Sequence, residues 1–178
     1  MRIESPPASR LQGIALRQLE RSDLREWYDY LCAPAVVEHT SWNVHGIEDL
    51  EPLLSQYEST AASAPCRLAI VDETRSRLAG TIGFFVISDM HRTAELAYDL
   101  APEYWGRGIA TAACRAVTEW SYDTLRLVRV QATVLETNTR SEGVLQRCDF
   151  VYEGLLRAYR MVRGVPGNFK MYSRLSTD

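Results

Sequence analysis

Hydrophobic and polar positions change period several times along the chain, and each change marks an element. Residues 1–10, with Pro6 and Pro7, carry no periodic pattern and are expected to form a flexible N-terminal tail before one domain spanning residues 11–178. Gly13 to Arg17 alternates weakly and predicts a first strand. Ser22 and Asp23 offer N-cap side chains ahead of Leu24, Trp27, Tyr28 and Leu31, whose spacing fits one helical face ending before Pro34. A second helix is predicted from about Ile47 to Ala62, stopping before Pro65; Pro52 inside it marks its first turn or a kink.

The period then shortens. Cys66–Val71, Leu78–Ile87 and Thr93–Leu100 read as strands, separated by polar turns at Asp72–Ser76 and Asp89–Arg92, which together predict an antiparallel meander. After Pro102 and a glycine-bearing turn, a helix is expected over Gly108–Tyr122, with Ile109, Ala113, Ala116, Val117 and Trp120 on one face. Val128, Val130, Ala132 and Val134 alternate with Arg129, Gln131 and Thr133, the pattern of a half-buried strand. A short helix over Asn138–Arg147 precedes two strands, near Phe150–Arg160 and Asn168–Arg174, split by a turn at Gly164–Gly167. The order is α/β (α+β) with mixed strand directions, not a regular βαβ series.

Composition narrows the classes. With 178 residues, 46% hydrophobic and 24% charged, the chain suits one soluble globular domain. Twenty Lys and Arg against 23 Asp and Glu give a net charge of −3, which argues against a nucleic-acid binder relying on bulk positive charge. The longest apolar stretch, Leu78–Ile87, is about half of a ~20-residue membrane span, and the N-terminal residues lack an apolar signal core. No membrane partner is expected, and the location is expected to be cytoplasmic. The 4 cysteines, Cys32, Cys66, Cys114 and Cys148, form no CxxC pair, and the 3 histidines, His39, His45 and His91, form no i,i+4 pair. They are read as reduced thiols and scattered imidazoles with no metal site.

The chemistry is concentrated between Glu95 and Ala113, where a strand, a glycine loop and a helix follow one another. Gly106 and Gly108 leave backbone N–H groups open, and the next helix points its positive end at the same place. A Walker A loop is absent. A dinucleotide fingerprint fails at Thr111, where its third glycine belongs, and Arg126 and Arg129 lie where its acidic residue would stand. The residues alone leave two readings: an anion nest, or a glycine turn that only begins a helix.

Trp105-Gly106-Arg107-Gly108-Ile109-Ala110 resembles the [QR]-x-x-G-x-[GA] acetyl-CoA motif of the GNAT acetyltransferase superfamily, with Trp105 in place of Gln or Arg. Ala101–Ala113 is similar to the RimJ/RimL branch, the ribosomal-protein N-terminal acetyltransferases. So are Asn138-Thr139-Arg140-Ser141, which matches an N-x-x-S signature, and Leu145–Gly154, where Asp149 replaces a usual glycine. The resemblance covers about residues 10–175.

It implies a mixed, mostly antiparallel central sheet flanked by helices. Its fourth and fifth strands, here Thr93–Leu100 and Val128–Leu135, would splay into a V that holds pantetheine. The Leu100 amide would serve as an oxyanion donor. The backbone of Arg107, Gly108, Ile109, Ala110 and Thr111 would hold the pyrophosphate of acetyl-CoA, and Asn138 the pantetheine arm. Arg107, Arg140 and Arg147 would meet the adenosine phosphates. Ser141 would be the acid toward the leaving sulfur, Glu95 or Glu136 the base, and Trp42 a border of the acceptor site. Asn168 stands where the branch often has an acidic residue, which weakens a cationic acceptor. The implied activity is acetyl transfer to a primary amine, a protein or peptide N-terminal α-amine first. A small-molecule or antibiotic amine, or CoA binding without turnover, are the alternatives. An exposed C-terminal edge strand would pair two subunits as a homodimer.

Overall fold

The structure is a computed structural model that describes residues 1–41, 44–61 and 63–178. Seven strands form one sheet: β1 (Ile14–Gln18), β2 (Cys66–Asp72), β3 (Arg77–Ser88), β4 (Thr93–Leu100), β5 (Arg129–Leu135), β6 (Val151–Val162) and β7 (Val165–Leu175), in the order β1-β2-β3-β4-β5-β7-β6. Neighbours are antiparallel except β4 and β5, which run parallel and pair only from Thr93↔Arg129 to Glu95↔Gln131. Beyond Glu95 the two strands diverge, as the family resemblance implied.

Among the described residues the α-helices are α1 (Leu24–Leu31), α2 (Pro34–Val37), α3 (Glu51–Tyr57), α4 (Ile109–Thr124) and α5 (Thr139–Arg147). α4 buries Ile109, Ala113, Cys114 and Val117 and packs on β3, β4 and α5. The core runs through Trp27, Leu50, Leu54, Leu68, Ile70, Ile82 and Phe84, all fully buried. At about 1.5–3 kcal/mol for each large apolar side chain removed from water, this stripe supplies the main drive for folding.

Several expectations are corrected. The start of the chain is not loose: Ile3 is 7% exposed, its N–H donates to Gln18 Oε1 at 2.8 Å, and Arg2 N–H donates to Ser59 O at 3.0 Å. Buried Ile3 and Ser9, together with these hydrogen bonds, dock a segment whose sequence has no periodicity. Asp23 precedes α1 without capping it, because its carboxylate turns back to Arg17 (2.6 and 2.7 Å) and to the Glu20 N–H (2.9 Å). The second predicted helix is short. A 3-10 turn at Ile47–Asp49 leads into α3, which begins one residue before Pro52 and ends at Tyr57. Pro52 sits in the first turn, where a missing N–H costs nothing. α2 was not foreseen; Pro34 opens it from the same favourable position.

The β6–β7 turn is Arg163–Gly164, not Gly164–Gly167, since Val162 pairs with Val165 and Gly167 lies in the ladder opposite Arg160. Both turn residues have positive φ, 51° and 82°, the geometry that suits a two-residue hairpin. β6 is the sheet edge, and Val151, Tyr152 and Met161 stand exposed on it. Among the described residues no helix is long and apolar enough to cross a membrane, and no group of His, Cys, Asp and Glu could hold a metal. All four cysteines are free.

Candidate active site

The divergence of β4 from β5 exposes a strand edge. Ala101 N–H donates to Ala79 O at 2.9 Å, and Gly80 lies opposite Leu100. In an antiparallel pair the bonding alternates, so the backbone groups of Leu96, Tyr98 and Leu100 point away from β3, into the gap. Trp105 Nε1 donates to Leu100 O at 2.9 Å. That bond occupies the carbonyl and leaves the Leu100 N–H as the group offered to the gap.

At the end of β4 the chain turns into α4. Gly106 and Gly108 both have φ of +75°, and a Cβ built at either would meet nothing within 4 Å. These positions are glycine for backbone conformation and for the open space before them, not for packing. Gly108 is the N-cap of α4 and supplies no side-chain bond, and the first turn of the helix carries no acidic residue. Ala112 N–H makes the first helical bond, to Gly108 O at 2.9 Å. The N–H groups of Ile109, Ala110 and Thr111 therefore face outward, unsatisfied by the helix and backed by its dipole.

These groups line a cavity of about 750 Å³, together with Leu100, Trp105, Asn138, Ser141 and Arg147. Arg140 also lines it, with its guanidinium 4.6 Å from the Trp105 ring centroid. A second cavity of about 320 Å³ lies against it, and His39, Thr40, Tyr98, Asp99, Asn138 and Ser141 belong to both walls. The smaller chamber is mostly apolar, with Phe85, Leu96, Ala132, Val134, Leu135 and Phe169. Phe85 reaches it because a bulge in β3 sets Phe84 opposite Leu96 and Val86 opposite Glu95, leaving Phe85 as the extra residue.

The ionic groups of the smaller chamber are committed to one another. Asp99 accepts from Arg67, from Tyr30 and, at 2.9 Å, from Thr81 Oγ1, and Arg67 Nε donates to Thr81 Oγ1 at 2.8 Å. Burial, reinforced by Asp99, pushes the Tyr30 phenol well above its ordinary range, so it stays a donor. Arg160 Nη2 donates to Glu95 Oε1 at 3.0 Å, and its guanidinium lies 5.2 Å from the Phe85 centroid and 5.6 Å from that of Phe169. Among the described residues Asp99 is the only carboxylate lining either cavity.

The expected site residues divide accordingly. Leu100, Gly108, Ile109, Ala110, Thr111, Asn138, Ser141 and Arg147 meet on the larger cavity. Asn138 caps α5, its Oδ1 accepting from Ser141 N–H at 3.1 Å. Arg107 is exposed and stacks over Tyr104, 5.3 Å from its centroid, without lining the cavity. Glu95 is 5% exposed, bonded to Arg160 and to Thr133 Oγ1 (2.7 Å), and lines neither cavity. Glu136 is exposed, accepts from Asn168 Nδ2 at 3.1 Å and also lines neither. Trp42 lies outside the described residues.

Sequence reasoning missed Tyr98, His39, Phe85 and Arg160. Tyr98 had a signal: it shares a strand face with Leu100 at period two. Its OH donates to Ser141 O at 3.1 Å, and burial pushes its phenol far above the ordinary range. The first turn of α5 is thus held from β4. It is held from β7 as well, where Lys170 (2.8 Å) and Tyr172 bond Glu142 and keep its carboxyl below the usual range.

The larger cavity thus lies where a strand pair splays beside a glycine-led helix N-terminus and faces a capped Asn-x-x-Ser turn. A profile described as acetyltransferase (GNAT) domain matches residues 14–151. The chain belongs to the GNAT acetyltransferase family and is an N-acetyltransferase that uses acetyl-CoA. It is 28% identical over 171 residues to the uncharacterized N-acetyltransferase YoaA of Bacillus subtilis, covering 94% of this chain and 96% of that one. The spermidine N-acetyltransferase of Vibrio cholerae, solved with CoA and spermine, superposes with a TM-score of 0.82 at 24% identity over 94% and 98% of the two chains. The ribosomal-protein-S5-alanine acetyltransferase of Vibrio fischeri gives 0.82 at 20% identity over 94% and 96%. The kinship with ribosomal-protein acetyltransferases is thus matched at the level of fold.

Proposed function

We propose that the chain transfers acetyl directly from acetyl-CoA in the larger cavity to a primary amine entering through the smaller one, and that this amine is a peptide or protein N-terminal α-amine in the cytoplasm. The observation that carries the reading is the shared wall: Tyr98, Asn138 and Ser141 line both chambers, so donor and acceptor ends meet there. When bound, acetyl-CoA supplies the acetyl thioester. The open N–H groups of Ile109 to Thr111 bind pyrophosphate, with Arg147 on the same wall, and no Cβ at Gly106 or Gly108 obstructs the approach. Asn138 orients the pantetheine arm. The Leu100 N–H is the donor toward the carbonyl oxygen as it gains charge, and the Ser141 hydroxyl donates toward the leaving sulfur. Glu95 anchors Arg160 in the acceptor wall.

Two arguments select an α-amine. Freeing a neutral amine at pH 7 costs about 1–1.4 kcal/mol for an α-amine with an ordinary pKa of ~7.7–8.0, against about 4.6 kcal/mol for lysine at ~10.4. Further cations on a polyamine would enter a chamber whose carboxylate, Asp99, already binds Arg67. The small volume of about 320 Å³ favours, as a second reading, a compact small-molecule amine. The test is mass spectrometry on a peptide carrying a free N-terminus and one lysine. Acetyl on the N-terminus is expected; acetyl on the lysine overturns the preference, and acetylation of small amines alone selects the second reading.

A further inference from the structure

Transfer to an amine requires a group that takes a proton from the ammonium form, and the carboxylates around the site are engaged elsewhere. Asp99 holds Arg67, Tyr30 and Thr81; Glu95 holds Arg160 and Thr133 and lines neither chamber; Glu136 lies outside on Asn168. Tyr98, its phenol raised by burial, is a donor to Ser141 O.

One titratable side chain on the shared wall is uncommitted. His39, just past α2, lines both chambers, and its buried Nδ1 has no hydrogen-bond partner among the described residues. His45 and His91 are exposed and line neither. His39 is only half-buried, so the accessible side of its ring, not the buried Nδ1, is what an ammonium N–H seated at the junction would meet.

The charged groups that line the two chambers with His39 come from four elements, and the phenols of Tyr57 and Tyr104 also stand on these walls. From β2 and β4 there is the Arg67–Asp99 pair with Tyr98, from β6 Arg160 held by Glu95, and from α5 Arg140 and Arg147. From the β6–β7 turn, Arg163 donates to Val37 O (2.6 Å) and Thr40 O (3.1 Å), which fixes the backbone on either side of His39. Neither carboxylate is bonded to the imidazole.

We propose that His39 is the general base of the reaction, an inference that rests on the acetyl-transfer reading above. An N–H bond of the ammonium breaks and its proton passes to the imidazole. The freed lone pair forms the C–N bond as the C–S bond breaks. The second amine proton reaches the leaving sulfur by way of Ser141, so that one amide and one thiol form. His39 then releases its proton to water.

The test compares wild type, His39→Gln and His39→Ala, with a peptide α-amine and a weakly basic small amine as acceptors. Thiol release is followed against pH, and acetyl-CoA binding is measured by calorimetry. A general base contributes about 10²–10⁴-fold. We therefore expect kcat to fall at least about 10²-fold in both variants with acetyl-CoA affinity unchanged, the acidic limb of the kcat profile to disappear, and added imidazole to restore part of the rate in His39→Ala. A His39→Gln variant that keeps the wild-type rate and acidic limb overturns the proposal. So does a loss of rate that tracks a loss of acetyl-CoA affinity and ignores imidazole, which would make His39 a wall residue. Wild type that binds acetyl-CoA yet acetylates no amine would instead defeat the transfer reading itself.

Discussion

Replacing Gly108 separates backbone strain from ligand exclusion. The residue stands at φ +75°, ψ 0°, as the N-cap of α4, and a Cβ there meets no protein atom within 4 Å. Alanine therefore brings no clash, only the cost of the left-handed region, about 1–2 kcal/mol. Asparagine tolerates that region better and should cost less stability, yet it is bulkier. On the reading proposed above, the open space before Gly108 is where the pyrophosphate approaches the helix end. A charged hydrogen bond is worth about 1.5–3 kcal/mol, so losing one weakens binding about 10- to 150-fold. The stability order should be wild type, Asn, Ala, and the affinity order wild type, Ala, Asn. Gly164→Ala is the control: φ +82°, open space, and a place in the β6–β7 turn, which lines neither cavity. It should lose comparable stability and no affinity. Urea titration reads the first quantity and calorimetry with acetyl-CoA the second. If affinity simply followed stability across the three variants, or if folded Gly108→Asn bound like wild type, the cradle assignment would be wrong.

Ser141→Ala should lower kcat about 10- to 10³-fold while acetyl-CoA affinity holds, because the sulfur gains charge only on the way to the transition state; an unchanged kcat would leave Ser141 as a helix residue. Asp99→Leu leaves the buried Arg67 uncompensated and should cost about 3–5 kcal/mol by urea titration, whereas Arg67→Met combined with Asp99→Leu should recover much of that loss; additive losses would mean the pair is not coupled. The Arg129 hydrogen bond, at 2.7 Å, draws the Glu153 carboxyl from 4.5 down to about 2. Because the folded value lies below the unfolded one, its contribution is present above about pH 4.5 and is lost as pH falls toward about 2. Glu153 is partly exposed, so Glu153→Gln should lower stability at pH 7 by about 1 kcal/mol or less, and the two proteins should converge in acid.

Much of this site was readable in the sequence because local rules govern it. The glycine loop, the helix after it and the Asn138 cap are contiguous segments whose conformation follows from positive φ, helix ends and capping. The strands from Cys66 to Leu100 were readable as short apolar runs between polar turns, and β5 from the alternation of a half-buried strand. What escaped depends on distant pairing. Glu95 looked available because its partner, Arg160, lies 65 residues away, and nothing in either neighbourhood announces the pair. Phe85 entered the smaller chamber through a bulge set by the register of β3 on β4. His39 follows a four-residue helix too short to carry periodicity, and Arg163 orders it from a turn 123 residues beyond Thr40. The two-residue hairpin that presents Arg163 was itself placed one residue late, because Gly167 resembled a turn glycine. Its actual demand is packing, since a Cβ there would lie 2.7 Å from Val162 Cγ2.

The end of β4 explains why one strand can serve both chambers. Its side chains alternate while its backbone edge faces one way, so consecutive residues take different tasks. Asp99 is fixed in a buried cluster of Arg67, Tyr30 and Thr81, in which each partner is a donor to the carboxylate. That cluster anchors β4 to β2, β3 and α1 where its pairing with β5 has already ended at Glu95. Without it, the Leu96–Leu100 stretch would be held by its β3 pairing alone, with no side-chain tie to β2 or α1. With it, the Leu100 N–H and the Tyr98 hydroxyl are set on either side of one fixed residue, the first toward the larger chamber and the second on the α5 turn that carries Ser141. The buried ion pair therefore stabilises position more than it stabilises the fold. This is why replacing both partners by apolar residues should spare much of the stability yet still lower kcat: the fold can close over a leucine and a methionine, but the end of β4 would be positioned by β3 alone.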